Sequence, residues 1–119
     1  MGVRHYRDLV AWQRAMDLVE HVYHLTRQFP KEELYGLTNQ LRRAAVSVPS
    51  NIAEGQGRGI GGEFAHHLRI ANGSIQEVET QLLLAERLSY ADDHAVASVL
   101  DLTAEVGRVT RGLLKSVKC

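Results

Sequence analysis

Hydrophobic residues recur every three or four positions along most of the chain, which is the period of amphipathic α-helices. A first helix is predicted from about residue 6 to residue 28. Pro30 ends it, because the residue before a proline is pushed out of the α region. We expect one seam of this helix to face the core: Leu9, Trp12, Met16, Val19, Tyr23 and Thr26.

A second helix is predicted from about residue 31 into a glycine-rich stretch at residues 55–62. Pro49 lies inside it and leaves the carbonyl of Ala45 without its backbone donor, so we expect a kink there rather than an end. Ser47, Ser50 and Asn51 flank the kink and could bond the freed groups. The expected buried face is Leu34, Leu37, Leu41, Ala44, Ala45, Val48 and Ile52.

A third helix is predicted from about residue 62 to residue 90. Its expected core stripe is Phe64, Leu68, Ala71, Ile75, Val78, Leu82 and Ala85. Leu82, Leu83 and Leu84 are consecutive and sweep roughly 200° of the helix surface. One intramolecular core covers such an arc poorly, so we expect part of it to meet another subunit. A patch of small residues would allow close approach of a neighbouring helix: Ala71, Gly73 and Ser74.

A fourth helix is predicted to start at Asp92 or Asp93, since either is a good N-cap. Its expected seam is Ala95, Val99, Leu102, Val106, Val109 and Leu113. Acids come early in this helix and bases come late, an order that complements the helix dipole. The acids are Asp92, Asp93, Asp101 and Glu105, and the bases are Arg108, Arg111, Lys115 and Lys118.

The pattern indicates an all-α protein, because no convincing strand alternation and no interdomain linker interrupt the four helical segments. We predict a single domain over residues 1–119, an antiparallel up-down-up-down four-helix bundle with helix 2 kinked at Pro49. Helices of about 25 residues would be on the order of 40 Å long. So long a bundle leaves much lateral surface, which favours self-association.

Charge and composition exclude some classes of protein. The chain has 14 Lys and Arg and 14 Asp and Glu, so its formal net charge is zero. This argues against a binder of the histone kind, but leaves room for a local basic patch on an oligomer. Cys119 is the single cysteine, which excludes a disulfide framework within one chain. With no membrane-spanning run and no signal peptide, we expect a soluble, cytoplasmic protein.

A metal centre is a known use of four-helix bundles, and it calls for two Glu-x-x-His pairs. Glu63 and His66 form one such pair. In the fourth helix Glu105 is followed by Arg108, so the second pair is missing. We therefore expect no metal and no cofactor.

Two further motifs suggest chemistry but lack its context. Gly57, Gly59 and Gly62 match G-x-G-x-x-G, but a predicted helix precedes them where a dinucleotide site needs a strand. The available nucleophiles, none with a histidine close in sequence, are Ser47, Ser50 and Cys119. We therefore expect a protein that is not an enzyme.

Three arginines around the expected kink form the candidate binding site: Arg42, Arg43 and Arg58. The planar guanidinium suits phosphate, so these residues suggest nucleic-acid binding. The competing interpretation is an ion pair, within or between chains, with Glu54 or Glu79. In a ring of identical subunits the patch would repeat and its field would add up.

The sequence from residue 40 to residue 55 reads QLRRAAVSVPSNIAEG, preceded by Phe29-Pro30 and Tyr35-Gly36-Leu37. Residues 73–82 read GSIQEVETQL. Together these segments resemble the family of proteins encoded in 23S rRNA intervening sequences, over about residues 6–114. The resemblance implies a homopentamer with a central channel, related to the accessory variability protein of diversity-generating retroelements. That relative is basic and implicated in binding nucleic acid and a reverse transcriptase, whereas this chain has no net charge.

The family that the chain resembles has no established biochemical activity, so the resemblance implies none for this chain. We expect a non-enzymatic homopentamer that binds structured RNA or another nucleic acid through Arg42, Arg43 and Arg58. The alternative is a protein-binding scaffold or adaptor with no nucleic-acid role. We call residues 40–55 the signature segment. In either case its other signature residues are expected to serve the kink and the subunit contacts: Pro49, Asn51, Glu54 and Gly55.

Overall fold

The computed structural model describes residues 5–58 and 62–117, and within them it contains four α-helices and no strand. The helices are α1 (Val10–Thr26), α2 (Leu37–Gly57), α3 (Gly62–Arg87) and α4 (Asp93–Val117). Two short 3-10 helices, Tyr6–Asp8 and Lys31–Glu33, precede α1 and α2. Expectations about the N-terminal residues 1–4, Gly59, Gly61, Lys118 and Cys119 lie outside the described residues.

The four helices enclose one core in a particle of 46 × 24 × 20 Å. α1 contacts α2, α2 contacts α3, α3 contacts α4, and α4 contacts α1. This closed ring of neighbours confirms the all-α four-helix bundle. Pro49 lies within α2, which continues past it to Gly57. The kink at Pro49 and the antiparallel order of the helices stay predictions.

The predicted core faces of α2 and α3 are confirmed. Every residue of the expected α3 stripe is buried, and so is every residue of the α2 face except Leu34, which is exposed ahead of α2. Leu82 is fully buried, whereas Leu83 and Leu84 are exposed. The chain's own core therefore covers only part of the leucine arc.

The predicted seam of α1 is partly wrong, although its two end residues, Leu9 and Thr26, are buried as expected. Met16 and Tyr23 are exposed, and Trp12 and Val19 are only partly buried. The buried stripe lies next to the predicted one and has the same helical spacing: Ala11, Ala15, Leu18, Val22 and Leu25. The predicted seam of α4 is also partly wrong: Ala95, Val109 and Leu113 are only half-buried. Val96, Thr103 and Thr110 take the inner positions there, beside Val99, Leu102 and Val106.

The ends of α3 and α4 follow standard capping rules. The Asp92 side chain accepts a hydrogen bond from the backbone N–H of Ala95 at 3.1 Å, which confirms one of the two predicted N-caps. At the end of α3, Ser89 adopts a left-handed backbone with φ of 56°. The backbone N–H of Tyr90 then reaches back to the carbonyl of Ala85 at 3.0 Å, as in a Schellman motif.

A polar clasp joins the two connections α1–α2 and α3–α4. The hydroxyl of Tyr90 donates to Glu33 at 2.7 Å, and the Tyr90 ring lies 5.6 Å from that of Phe29. The backbone N–H of Asp92 donates to the side chain of Gln28 at 3.0 Å. These contacts bring the segment between α1 and α2 against the segment between α3 and α4.

Candidate nucleic-acid interface

Arg42 is held in place by α1. Its Nε donates to the hydroxyl of Thr26 at 2.8 Å, and its guanidinium lies 4.6 Å from the centre of the Tyr23 ring. Thr26 is only 3% exposed, and its hydroxyl donates in turn to the carbonyl of Val22 at 2.8 Å. The buried hydroxyl and the aromatic ring therefore fix the plane of the Arg42 side chain. No carboxylate of the described residues neutralises it.

Arg43 is exposed on the outer ridge of α2. Among the described residues it makes neither an ion pair nor a hydrogen bond. It lines two grooves, one on each side of the ridge. The α2–α3 groove, of about 400 Å³, also contains Glu77 and Gln81, and the α1–α2 groove, of about 450 Å³, also contains Tyr23 and Val46.

Arg58 is at the far end of α2 and does not join the other two arginines. It follows Arg43 by fifteen residues, or about 22 Å along a helix axis. Its guanidinium pairs with Glu54 at 3.0 Å, one helical turn earlier. For Arg58, the structure thus shows the ion pair with Glu54 that was the alternative to phosphate binding.

A second pair of bases takes the place beside Arg42 that was expected for Arg58. Arg27 and Lys31 line a pocket of about 370 Å³ between the end of α1 and the start of α2, and Arg42 forms its third basic wall. Phe29, Pro30 and Leu34 supply its apolar surface. We call it the Arg42 pocket.

Arg42 also lines the α1–α2 groove, so the Arg42 pocket and that groove adjoin. Together they form a cationic track made of Arg43, Arg42, Arg27 and Lys31. No acid is among the described residues that line either of them. In a chain with no net charge, positive charge is thus concentrated on one edge of the bundle.

Glu33, in the 3-10 helix that carries Lys31, is held by two hydrogen bonds. Glu33 accepts hydrogen bonds from the backbone N–H of Leu37 and from the hydroxyl of Tyr90, and these bonds lower its pKa in that order of importance. The same bond to Glu33 raises the pKa of Tyr90, and burial and the charges of Glu33 and Glu32 add to the effect. Both acids of the 3-10 helix therefore act on Tyr90.

Acidic and basic side chains form ion pairs on the neighbouring edge of the bundle, between α1 and α4. Arg14 binds both carboxylate oxygens of Glu105, at 2.8 and 2.9 Å, and also pairs with Asp17. The hydrogen bond from Arg14 lowers the pKa of Glu105, and the bond to Glu105 raises the pKa of Arg14. This edge contrasts with the cationic track, whose bases form no ion pair with an acid of the described residues.

Asn51, one of the signature residues, belongs to a polar chain between α2 and α3. Ser74 donates to the hydroxyl of Ser47 at 2.8 Å, and the Asn51 amide donates to the same hydroxyl and to the Ser47 carbonyl, at 3.0 and 2.9 Å. The Asn51 carbonyl oxygen lies 3.1 Å from Nδ1 of the buried His67. Asn51 thus bonds the carbonyl of Ser47, not that of Ala45, which Pro49 deprives of its donor.

Gly55 allows α2 and α3 to approach closely. A Cβ at this position would lie 2.6 Å from the Cβ of His67 and 3.2 Å from the Phe64 ring. Any side chain here would therefore push the two helices apart. Gly55 and Asn51 are thus placed at the contact between α2 and α3.

Comparison with known proteins agrees with this architecture. The family model of the 23S rRNA-intervening sequence protein matches residues 7–112. The chain belongs to this family. A crystal structure of a protein of unknown function from the S23 ribosomal protein family of Bacteroides thetaiotaomicron superposes with a TM-score of 0.81. The two are 20% identical, and the match covers 89% of this chain and 96% of that one. No curated protein matches.

The description of the family names no enzymatic reaction, and the structural neighbour shows the fold alone. Glu63 and His66, which form one Glu-x-x-His pair without the second pair that a metal centre needs, are both exposed. No group of three potential ligands for a metal ion occurs among residues 5–58 and 62–117. In the same part of the chain no helix is long and apolar enough to cross a membrane.

Sequence reasoning missed Arg27 and Lys31 as members of the basic edge. They lie on either side of the Phe29-Pro30 break, outside the signature segment, and only the turn between α1 and α2 brings them to Arg42. The available signal was the break itself, because a short connection between packed helices brings the last turn of one next to the first turn of the other.

Proposed function

We propose that this protein is a non-enzymatic homopentamer of the cytoplasm that binds structured RNA, with the phosphates held along the cationic track. One observation carries the proposal: four bases and no acid are found among the described residues lining the two adjoining pockets that share Arg42. Such segregation is what a phosphate-binding surface requires.

The track has two complementary parts. Arg42 is fixed by Thr26 and Tyr23, so little side-chain freedom is lost when it binds an anion. Arg43 is exposed on the ridge and free to reach a phosphate. A guanidinium can bind a phosphate through two parallel hydrogen bonds, which a lysine cannot do.

Self-association supports binding by repeating the track. Leu83, Leu84 and Leu88 form an exposed apolar surface at the end of α3, with almost half of each residue accessible. Burying leucines of this size favours association, at roughly 25 cal/mol per Å² of apolar surface removed from water. The pentamer is the assembly that the family resemblance implies, and five tracks on one particle would raise the avidity for a long RNA.

The test compares Arg43→Ala with Arg58→Ala across a salt series. Each variant removes one exposed arginine of α2, but Arg58 is paired with Glu54 whereas Arg43 is unpaired. We expect wild-type affinity for a structured RNA to fall steeply with salt. In Arg43→Ala the slope of log K against log salt should be smaller by about 1, and Arg58→Ala should resemble wild type. Affinity that does not depend on salt, or that both variants retain in full, would refute the proposal.

The second candidate function is a protein-binding scaffold. It is favoured by the exposed apolar side chains of the α1–α2 edge, Met16, Tyr23 and Val46, and by Tyr35, which is 91% exposed. Size exclusion with light scattering, monitored at 260 and 280 nm on protein purified at low salt without nuclease, separates the two. Excess absorbance at 260 nm that is lost at high salt supports RNA binding. A clean pentamer supports the scaffold, and a monomer contradicts the assembly.

A further inference from the structure

The Arg42 pocket combines three basic side chains with an apolar surface formed by Phe29, Pro30 and Leu34. We propose that it binds a phosphomonoester attached to a nucleobase, which is the chemistry of a mononucleotide and of a phosphorylated RNA end. This inference rests on the proposed function and names the part of the RNA that this pocket recognises.

The charge of the pocket favours a phosphomonoester over other anions. Arg27, Lys31 and Arg42 line it, and no acid is found among its described lining residues. A phosphomonoester carries about −1.5 to −2 at neutral pH. An internal phosphodiester or a carboxylate carries one negative charge only. Three cations around one volume therefore match the ligand with the higher charge.

Arg42 has donors left to bind that ligand. Its Nε is occupied by the buried hydroxyl of Thr26, and the Tyr23 ring covers one face of the guanidinium. The two terminal nitrogens carry four N–H groups, and these have no partner among the described residues. A guanidinium so oriented presents a fork to a phosphate that enters the pocket.

The apolar surface of the pocket suits a nucleobase. Pro30 is half-buried and Leu34 is half exposed, beside the edge of the buried Phe29. The volume of about 370 Å³ lies within the range of small-molecule sites, near its lower end. Because Arg42 also lines the α1–α2 groove, a strand that starts in the pocket can continue towards Arg43.

The experiment measures binding of one RNA oligonucleotide in three forms: with a 5′-phosphate, with a 3′-phosphate and with neither. Uridine monophosphate, uridine and inorganic phosphate serve as small probes. We expect a terminal phosphate to tighten binding about tenfold, which is the effect of one good charge-assisted hydrogen bond. Preference for the 5′ or the 3′ form identifies the end, and binding of uridine monophosphate over uridine identifies the free nucleotide as a ligand.

Three variants separate the pocket from the track. Lys31→Ala should weaken binding of all three RNA forms, because Lys31 belongs to the track, and in addition it should abolish the preference for a terminal phosphate. Leu34→Ala, which changes no charge, should weaken the binding of uridine monophosphate but not the binding of inorganic phosphate. Arg43→Ala should weaken all three RNA forms alike and leave their ratio unchanged. Lys31, Leu34 and Arg43 are exposed, so the variants should fold, as circular dichroism can verify.

The outcomes distinguish this inference from the proposed function. If all three RNA forms bind equally and Arg43→Ala weakens them, the pocket inference is overturned and RNA binding stands. If uridine monophosphate binds in a Lys31-dependent way and RNA does not bind, the pocket stands and the RNA proposal fails. If no probe binds, both are overturned.

Discussion

Replacing Gly55 by alanine tests the close contact between α2 and α3. The added Cβ would lie 2.6 Å from the Cβ of His67 and 3.2 Å from the ring of Phe64. A Cβ is fixed to the backbone, so no change of rotamer can relieve the first of these contacts. The helices themselves must move apart by about 1 Å to restore an ordinary separation.

The expected change in the free energy of unfolding of Gly55→Ala follows from two opposing effects. Overpacking of a well-packed core costs about 1–3 kcal/mol, and a clash between two backbone-fixed atoms belongs in the upper half of that range. Replacing glycine by alanine in a helix interior recovers about 1 kcal/mol. We therefore expect Gly55→Ala to lower the free energy of unfolding by about 1–2 kcal/mol.

Gly112→Ala is the matched control. Gly112 also lies inside a helix, and a Cβ there would meet no atom within 4 Å. This variant should gain about 0.5–1 kcal/mol, because only the helix propensity changes. Urea unfolding followed by circular dichroism, at one protein concentration for all variants, measures both values.

A double variant identifies the atom responsible. His67→Ala keeps the Cβ and should leave the effect of Gly55→Ala in place, whereas His67→Gly removes the Cβ and should reduce it. If Gly55→Ala proves as stable as Gly112→Ala, the close approach of α2 and α3 does not limit this position and the reasoning is refuted.

Three further changes have defined expectations. Asn51→Ala should cost about 1–3 kcal/mol in unfolding experiments, since it leaves its polar partners at the α2–α3 contact unsatisfied; a loss below 0.5 kcal/mol would contradict the hydrogen-bonded chain. Ser89→Gly should stabilise by about 1 kcal/mol, because glycine adopts the left-handed conformation without strain; an unchanged melting temperature would argue against that conformation. The hydrogen bond from Arg14 lowers the pKa of Glu105. The ion pair therefore stabilises the fold fully above the usual carboxyl pKa of about 4.5, and this stabilisation is lost as the pH falls through the lowered pKa. Glu105→Gln should therefore flatten the loss of stability in acid, and an unchanged pH profile would contradict the ion pair.

The fold could be predicted from the sequence where a helix carries a single apolar stripe. α2 and α3 each carry one, and every residue of their predicted stripes is buried except Leu34. α1 carries two adjacent stripes, one with Trp12 and Met16 and one with Ala11 and Ala15. Periodicity alone cannot choose between them. The structure buries the stripe that contains alanines, because small side chains let helices pack closely.

The candidate site was harder to predict, because its parts come from separate segments. Arg42 and Arg43 are neighbours in sequence, but the side chains that complete the track come from the end of α1 and from the 3-10 helix before α2. The ion pair at Arg58 could be predicted from its one-turn spacing to Glu54. The pocket around Arg42 depends on the path of the chain through Pro30, and the Phe29-Pro30 break signals a turn there without specifying that path.

The clasp between Tyr90 and Glu33 has a consequence for the entropy of binding. It fastens the 3-10 helix that carries Lys31 to the connection between α3 and α4, through a 2.7 Å hydrogen bond and the contact of Tyr90 with Phe29. The ordering of this segment is therefore completed when the chain folds. An anion arriving at Lys31 meets a turn that has already lost its conformational freedom, so binding there need not immobilise a loop.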